Sequence, residues 1–380
     1  MSRLNLPGGA VTLTAGPAPD AGQPWNRTAF AAAHVVSDPL AEADPWLDCP
    51  MDWERTLAFR EHLWSLGFGV AEAMDTAQRG MGMDWPTALE LIQRSTALAK
   101  AGGHLIASGA GTDHLSVGPD VTLDQVIAAY EEQCEAVEAA GSPVILMASR
   151  ALVQAAKGPD DYARVYAHVL GGLSQPAILH WLGEMFDPAL AGYWGSNDHM
   201  AAMDTALSVI ADNADKIDGI KVSLLSAEKE ISMRRRLPES VKMYTGDDFN
   251  YPDLIAGDDE GFSHALLGIF DPIAEVAARA LGQLGAGDHD GYHATFAPSV
   301  PLSRHIFRAP TRFYKTGVVF LAYLTGHQNH FTMIGGQESA RSTLHLAETI
   351  RLANASGLFV DPDLAAIRAR AVFAARGVEI

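Results

Sequence analysis

One lysine stands inside an apolar run near the middle of the chain. After a turn predicted at Asp218-Gly219, the aliphatic residues around Lys221 predict a buried strand; they are Ile220, Val222, Leu224 and Leu225. Burial disfavours the charged form of a lysine, lowers its pKa and exposes a nucleophilic amine at neutral pH. Such an amine can form an imine with a carbonyl substrate. The alternative is a structural lysine, paired inside the protein with an aspartate from another strand end.

Polar side chains also follow several other predicted strands. In chain order they are His34, Asp75, Thr76, Asp113, His114, Arg150, His180 and Asp247. The carboxyl ends of the strands of a parallel barrel meet at one face, and active sites lie there. We therefore expect these side chains to surround Lys221.

Strand-like and helix-like runs alternate along most of the chain, as in a protein built from βα units. Strands are predicted at 29–36, 68–74, 104–108, 143–147, 176–179, around Lys221, and at 241–244 and 263–269. Helices are predicted at 53–66, with Asp52 as N-cap, and at 85–101, 122–140, 160–173 and 199–214. Eight such units predict an α/β protein with a (β/α)8 TIM barrel.

The pattern predicts three regions. Residues 1–28 form an N-terminal extension, residues 29–272 the (β/α)8 barrel, and residues 273–380 a C-terminal helical region. The stretch 285–310 is rich in histidine and proline and is predicted to be mostly loop. His289 and His293 are four residues apart, but Gly291 between them favours a loop over a shared helix face.

Four short motifs, in order, resemble the dihydrodipicolinate synthase and N-acetylneuraminate lyase superfamily. Gly219-Ile-Lys221 is similar to the strand of the family's imine-forming lysine, and Tyr244-Thr-Gly-Asp-Asp248 to its Ser-Gly-Asp-Asp turn. Pro176-Ala-Ile-Leu-His180 is similar to its Pro-Val-Ile-Leu-Tyr strand. Pro310-Thr-Arg-Phe-Tyr-Lys315 is similar to its Pro-x-x-x-Lys element, with one extra residue. The resemblance spans about residues 29 to 350 and indicates an uncharacterised bacterial branch.

The resemblance implies a barrel with a C-terminal helical extension, often oligomeric, that catalyses aldol-type condensation, cleavage or dehydration on 2-oxo acids. Where the family has Gly-Thr-Thr-Gly-Glu for the substrate carboxylate, this chain has the stretch from Met74 to Gly80, and Asp75 adds negative charge. His180 replaces the family's catalytic tyrosine, and a histidine would relay protons with a pKa nearer neutrality. These departures disfavour dihydrodipicolinate synthase itself and favour a neutral, polyhydroxylated carbonyl compound over pyruvate.

We therefore predict an imine-forming class I lyase, aldolase or dehydratase of carbohydrate metabolism, acting on a small oxo acid or oxo-sugar derivative. Lys221 and His180 are the predicted catalytic residues. The predicted substrate-binding residues are Asp75, Thr76, His34, Asp113, His114, Arg150 and Asp247. For Asp247 the alternative is ordinary turn chemistry in Gly246-Asp247-Asp248. Imine chemistry needs no cofactor or metal, and we predict none.

Two other functions remain open on the same architecture. One is a metal-dependent sugar isomerase or epimerase, with His34, Asp75, Asp113, His114 and His180 as ligands. The other is a sugar-acid binding protein without catalysis.

Composition narrows the environment and the partners. The formal net charge is −19, which argues against nucleic acid and anionic membrane surfaces as partners. The start of the chain has no apolar signal core, and no apolar run reaches the length of a membrane span. The two cysteines, Cys49 and Cys134, lack metal-ligand spacing and fit a reducing compartment. We expect a cytoplasmic homo-oligomer with a small-molecule carbonyl substrate.

Overall fold

The computed structural model describes residues 2–18 and 24–380. Part of the predicted N-terminal extension, residues 1 and 19–23, lies outside the described residues. The rest of that extension contains an antiparallel hairpin that the sequence reasoning missed, formed by β1 (Arg3–Leu6) and β2 (Gly9–Thr12). Each of these strands has only four residues, which is too short for a clear alternation of apolar and polar positions.

Eight parallel strands close into a barrel, which confirms the predicted (β/α)8 fold. The order around the barrel follows the chain, and the last strand pairs with the first. The strands are β3 (Ala29–Ala32), β4 (Gly69–Glu72), β5 (Ile106–Ala110), β6 (Val144–Leu146), β7 (Ala177–Leu182), β8 (Ile217–Ser223), β9 (Lys242–Thr245) and β10 (His264–Leu267). Asp218 and Gly219 lie inside β8, so the turn predicted there is wrong.

The barrel interior is a compact apolar cluster. Alternate residues of the strands point inward, and both small and aromatic side chains fill the space. The cluster includes Phe30, Ala32, Ala71, Met74, Ala107, Ile145, Ile178, Tyr244 and Leu266. Gly69 is required here, because a Cβ at this position would lie 2.7 Å from the ring of Phe30.

Helices follow each strand along the chain. They are α1 (Trp53–Ser65), α2 (Trp85–Gly102), α3 (Leu123–Ala140), α4 (Arg150–Ala155), α5 (Pro159–Gly172), α6 (His199–Asp212), α7 (Ala227–Arg234), α8 (Tyr251–Ala256) and α9 (Ala274–Gly285). The predicted N-cap Asp52 accepts a hydrogen bond from the backbone N–H of Arg55. Thr122 and Gln125 form a capping box at the start of α3. Local capping chemistry therefore fixes these helix starts, as the sequence indicates.

Five further helices form the C-terminal extension. They are α10 (His289–Phe296), α11 (Ser299–Ile306), α12 (Tyr314–Thr325), α13 (Thr343–Ala355) and α14 (Pro362–Ala375). The loop predicted for 285–310 is wrong, because α10 and α11 occupy much of it. Asp288 caps α10 by accepting from the N–H of Gly291, and the buried rings of Tyr292 and Phe296 hold the helix in place. Tertiary packing outweighs the low helix propensity of Gly291.

The chain divides into two compact units. The barrel unit comprises Arg27–Ala32 and Gly69–Leu267 and contains all eight barrel strands. The helical unit comprises Met1–Asn26, Ala33–Phe68 and Gly268–Ile380. Among the described residues, no helix is long and apolar enough to cross a membrane.

Candidate active site

Lys221 lies on β8 with only 7% of its surface exposed. In the parallel register its neighbours are His180 on β7 and Tyr244 on β9. Burial lowers the pKa of the Lys221 ammonium, and the negative charges of Asp75 and Asp248 only partly offset this effect. In the part of the chain that the structure describes, the amine makes no hydrogen bond or ion pair. Lys221 is therefore a desolvated amine that no carboxylate holds in a direct pair.

The turn after β9 makes room for this lysine. A Cβ on Gly246 would lie 2.8 Å from Lys221 Cε and 2.3 Å from Ser223 Oγ. Real Cβ atoms do not approach other atoms so closely, so only glycine fits at this point. The glycine of the Tyr244–Asp248 motif thus has a steric role, which is to let the lysine stem pass along the turn.

His180 is buried beside Lys221, with 1% of its surface exposed. Its Nε2 lies 3.3 Å from Ser223 Oγ. Its Nδ1 is shielded from solvent without a hydrogen bond and lies 4.0 Å from Asp75 Oδ2. Burial, and secondarily the charge of Lys221, lower the pKa of His180 well below 6.5. A histidine at this position is expected from the sequence to have a pKa nearer neutrality, but the pKa of His180 is lower because its imidazole is desolvated.

Asp75 begins a short 3₁₀ turn, Asp75–Ala77, directly after β4. The backbone is strained on both sides of this turn, with φ of +52° at Ala73 and +67° at Gln78. Non-glycine residues in this region are uncommon and concentrate at functional sites. Asp75 lines a pocket at the carboxyl ends of β4 to β7, whereas the side chain of Thr76 is buried, at 2% exposure.

Asp113 is held by an arginine that the sequence reasoning missed. The guanidinium of Arg79, itself buried, donates to both carboxylate oxygens of Asp113 and to the backbone carbonyls of Ala73 and Gly109. Burial alone would raise the pKa of Asp113, but the charge and hydrogen bonds of Arg79 lower it below its usual value. This ion pair ties the ends of β4 and β5 together and neutralises Asp113.

His114 is directed toward α3. Its Nδ1 lies 2.8 Å from Gln133 Nε2, and its Nε2 lies 3.3 Å from Glu132 Oε2. The ring also packs near Trp85, with 6.3 Å between ring centroids. These contacts assign His114 to the packing of the loop after β5 against the helices.

Arg150 begins α4 and pairs with Asp187, with its side chain 40% exposed. Its guanidinium nitrogens lie 3.2 Å from the position that a Cβ on Gly80 would take. Gly80 has a φ of +69°, so this residue combines a left-handed backbone with a close approach by the arginine. Arg150 and Asp187 both line the pocket.

Asp247 is used inside its own turn. Its Oδ1 accepts from the N–H groups of Phe249 and Asn250 at 2.9 and 3.1 Å, and its Oδ2 accepts from Asn250 Nδ2 at 2.8 Å. This is the turn chemistry named as the alternative for Asp247. The neighbouring Asp248 is not among the substrate-binding residues predicted from the sequence, but its charge acts on Lys221, as that of Asp75 does more strongly.

Two residues selected from the sequence belong to the helical unit. His34 is fully buried, and its Nδ1 lies 2.7 Å from Asp271 Oδ2. Arg60 donates to the backbone carbonyl of His34, which fixes the segment further. Lys315 of the C-terminal motif lies in α12, and its Nζ donates to the carbonyl of Arg312 at 3.2 Å.

A pocket opens at the carboxyl ends of β4 to β7. Its empty space is about 610 Å³, which includes the part that is open to solvent. Its polar lining includes four of the predicted residues, Asp75, Asp113, Arg150 and His180, together with Arg79, Thr112 and Asp187. Apolar lining comes from Leu115, Val117, Met147, Leu182 and Leu190. Lys221 does not line this pocket; it lies on β8, one strand further around the barrel, in register with His180, which does.

The metal-ligand set considered for a sugar isomerase does not converge in the barrel unit. Asp113 is engaged by Arg79, and His114 is engaged by Gln133 and Glu132. Asp75 and His180 are 4.0 Å apart, and within residues 2–18 and 24–380 no third metal-ligating side chain joins them. Among the described residues, three metal-ligating side chains come together at His62, Glu275 and His327 instead.

The residues missed from the sequence are mainly arginine and aspartate side chains that act across loops. Arg79 and Asp187 each meet a partner more than 30 positions away. No local sequence pattern predicts such a pair. Arg79 does lie in the stretch from Met74 to Gly80, where this sequence differs from the motif of the superfamily. That departure is the signal that could have drawn attention to it.

The chain belongs to the family described as protein of unknown function DUF993, whose model matches residues 10–378. No curated protein sequence matches the chain significantly.

Solved structures of the dihydrodipicolinate synthase family share the fold, as the motifs suggest. The prophage protein YagE of E. coli K12, solved with pyruvate, matches with a TM-score of 0.67 and 12% identity over 88% of this chain and 99% of its own. Dihydrodipicolinate synthase of Thermotoga maritima matches with a TM-score of 0.63 and 13% identity, over 88% of this chain and 99% of its own. Dihydrodipicolinate synthase of Bacillus clausii matches with a TM-score of 0.62 and 14% identity, over 86% of this chain and 96% of its own. At these identities the likeness establishes the fold alone.

Proposed function

We propose that the protein is a class I lyase or aldolase that forms an imine between Lys221 and a small oxo compound. The observation that carries this proposal is the environment of the lysine amine. It is 7% exposed, its pKa is lowered by burial, and it lies in register with a buried histidine. A structural lysine would be expected to have a direct carboxylate partner inside the protein.

The chemistry begins with the neutral amine. Lys221 Nζ adds to the substrate carbonyl carbon, and the resulting carbinolamine loses its oxygen as water after protonation, which leaves a protonated imine. In a retro-aldol step, a base removes the proton from the hydroxyl group on the departing carbon. The carbon–carbon bond then breaks: the hydroxyl oxygen becomes the carbonyl of the departing fragment, and the electron pair moves toward the imine nitrogen to form an enamine. Protonation of the enamine carbon and hydrolysis of the imine by water release the second product and restore the amine of Lys221.

His180 is suited to be that base. Its lowered pKa keeps the imidazole neutral at pH 7, so one ring nitrogen can accept a proton. Nδ1 is the nitrogen without a hydrogen bond, and Asp75 lies 4.0 Å from it. The carboxylate would stabilise the imidazolium that forms on proton transfer, as acid–base pairs of this kind do.

The charges of the pocket favour a hydroxylated oxo-sugar derivative over a simple oxo acid. Arg79 is neutralised by Asp113, and Arg150 by Asp187. This leaves the carboxylate of Asp75 as an excess negative charge in the lining. A substrate carboxylate would be repelled there, whereas hydroxyl groups would donate hydrogen bonds to Asp75.

Borohydride trapping tests the proposal directly. The protein is incubated with a panel of neutral oxo-sugars and with oxo acids such as pyruvate, and imines are reduced with cyanoborohydride. We expect the protein mass to increase by the mass of the compound less one oxygen atom. A trapped Lys221 resists trypsin, so the label should appear on a peptide spanning residues 217–229.

Lys242→Ala is the matched control, because Lys242 lies on the adjacent strand, is 42% exposed and is paired with Asp218. We expect Lys242→Ala to trap normally and Lys221→Ala to lose the label. Labelling that survives Lys221→Ala, or no label from any compound in the panel, would reject the proposal. Stronger trapping with pyruvate than with oxo-sugars would overturn the substrate class alone.

A further inference from the structure

We propose that His62, Glu275 and His327 form a binding site for a divalent metal ion of the zinc type. The three side chains belong to the helical unit, and one ligand atom from each lies within 4.8 Å of the others. Two imidazoles and one carboxylate are a donor set that suits zinc and the neighbouring transition metals. The imine chemistry proposed for Lys221 uses none of these residues.

The two distances between Glu275 and the histidines are close to those around a tetrahedral ion. Glu275 Oε1 lies 3.1 Å from His62 Nε2 and 3.7 Å from His327 Nε2. A zinc ion with bonds of 2.0–2.1 Å would hold tetrahedral ligand atoms roughly 3.3 Å apart. The observed separations bracket this value, so ligation requires movements of only a few tenths of an ångström for these two pairs.

Among the described residues, one ligand nitrogen has Glu275 as an ion-pair partner but no hydrogen bond of regular geometry. His62 Nε2 is shielded from solvent and makes no hydrogen bond of acceptable geometry, although Glu275 is near. A buried polar atom without a partner costs free energy, so such atoms call for an explanation. A metal ion between the imidazole and the carboxylate would satisfy both.

The backbone presents the three ligands from different elements. His62 lies in the last turn of α1, and Glu275 lies in the first turn of α9. His327 follows Gly326, whose φ of +103° ends α12, and its N–H donates back to the carbonyl of Ala322. A single ion would therefore connect two helices and the end of a third.

The surroundings suit a bound ion that keeps one open position. Phe59 packs against both imidazoles, with ring centroids 5.9 Å from His62 and 5.0 Å from His327. The three ligand side chains are each about one quarter exposed, so an ion can enter from solvent. Three protein ligands leave the fourth tetrahedral position to water, as in open zinc sites.

The test uses the full chain without an affinity tag, stripped of metal by chelator and titrated with Zn²⁺ by calorimetry. We expect one Zn²⁺ per chain and a rise in Tm on binding, since a ligand that binds only the folded state stabilises it. His62→Gln and His327→Gln should each weaken binding by at least roughly tenfold. Substitution with Co²⁺ should give the visible absorption bands of a tetrahedral site. These bands should disappear in His62→Gln and in His327→Gln.

Two control variants address other histidines. His168→Gln removes an exposed histidine that pairs with Glu131 in the barrel unit, and it should bind Zn²⁺ like the wild type. His293→Gln removes one of the two exposed histidines on α10, His289 and His293, and should also leave Zn²⁺ binding unchanged. The absence of stoichiometric binding, or its loss in His293→Gln but not in His62→Gln, would overturn the proposal. If a ligand variant unfolds, the cobalt spectrum of Glu275→Gln decides, because unchanged bands there would also overturn it.

Discussion

At the scale of single residues, the balance of charge and burial around Lys221 decides the chemistry. Asp75 and Asp248 favour the ammonium form, and burial favours the neutral amine. Burial prevails, so the pKa falls, and the neighbouring His180 is also kept neutral by burial. Two adjacent basic groups whose pKa values are both lowered by burial are unusual in a structural core, and they are typical of a site built for proton transfer.

Replacing Lys221 by methionine should separate stability from function. Methionine keeps the length of the apolar stem and removes the group whose desolvation opposes folding. We expect Lys221→Met to abolish trapping while its Tm stays equal to that of the wild type or rises by a few degrees. Differential scanning calorimetry checks this outcome, and destabilisation by more than about 1 kcal/mol would show that the lysine has a structural role.

At the scale of elements, the turns after the barrel strands hold the site. The turn after β4 is flanked by the positive φ angles of Ala73 and Gln78, and Leu225, just after β8, has a φ of +50°. The ion pair between Arg79 and Asp113 fastens the ends of β4 and β5. The strands thus supply a rigid frame, and strained turns aim the side chains at its carboxyl end.

Gly246→Ala should disturb the site through the turn after β9. The new Cβ would collide with Ser223 Oγ, Lys221 Cε and the carbonyl of Val222. We expect a loss of about 1–3 kcal/mol in the free energy of unfolding, since overpacking costs this much. Displacement of the lysine should also slow trapping at least roughly tenfold.

Gly172→Ala is the matched control, because a Cβ there meets nothing within 4 Å. It should leave trapping unchanged and not lower stability. Chemical denaturation of both variants checks the comparison. Equal stability of Gly246→Ala and the control would show that the turn tolerates a side chain and that our steric argument fails.

At the scale of the whole molecule, buried titratable groups link folding to pH. Glu230 on α7 accepts hydrogen bonds from Ser263 and Thr245, and burial raises its pKa to about 8. The folded state therefore keeps this carboxyl protonated at pH values where the unfolded chain has released the proton.

The predicted homo-oligomer is a further property at this scale, and it stays a prediction that light scattering can test.

Glu230→Gln should remove one pH dependence of stability. The pKa of Glu230 rises from 4.5 to about 8 on folding, so the wild type loses stability as the pH rises between these values. The loss is at most roughly 1.4 kcal/mol per pH unit. We expect the stability of Glu230→Gln relative to the wild type to grow from pH 5 to pH 8.

Urea denaturation at several pH values measures this difference, because other titrating groups are common to both proteins and cancel. Glu228→Gln, an exposed position on the same helix, is the control and should follow the wild type. A constant difference between Glu230→Gln and the wild type across this range would contradict the raised pKa.

The sequence predicted most of the barrel, because each strand and helix has a local signal. Apolar runs gave the strands, including the one that carries Lys221, and Asp52 and Thr122 gave the helix starts that the structure confirms. Prediction from the sequence failed where the local signal was weak or misleading. Gly291 lies in α10 instead of a loop, and Gly219 lies inside β8 instead of a turn. In both places packing against distant residues overrode the local preference for a turn or loop.

The sequence by itself determined that a lysine would be buried in a parallel barrel, because periodicity and composition are local properties of the chain. Only the tertiary structure decided which charges meet. In the folded chain Arg79 pairs with Asp113, and the side chain of Asp247 accepts hydrogen bonds from its own turn. The charge of Asp248 acts on Lys221, to which it is not adjacent in sequence. It also brought His62, Glu275 and His327 together from three distant segments. Electrostatic interactions depend on distance in space and on burial, and neither quantity can be read from positions along the chain.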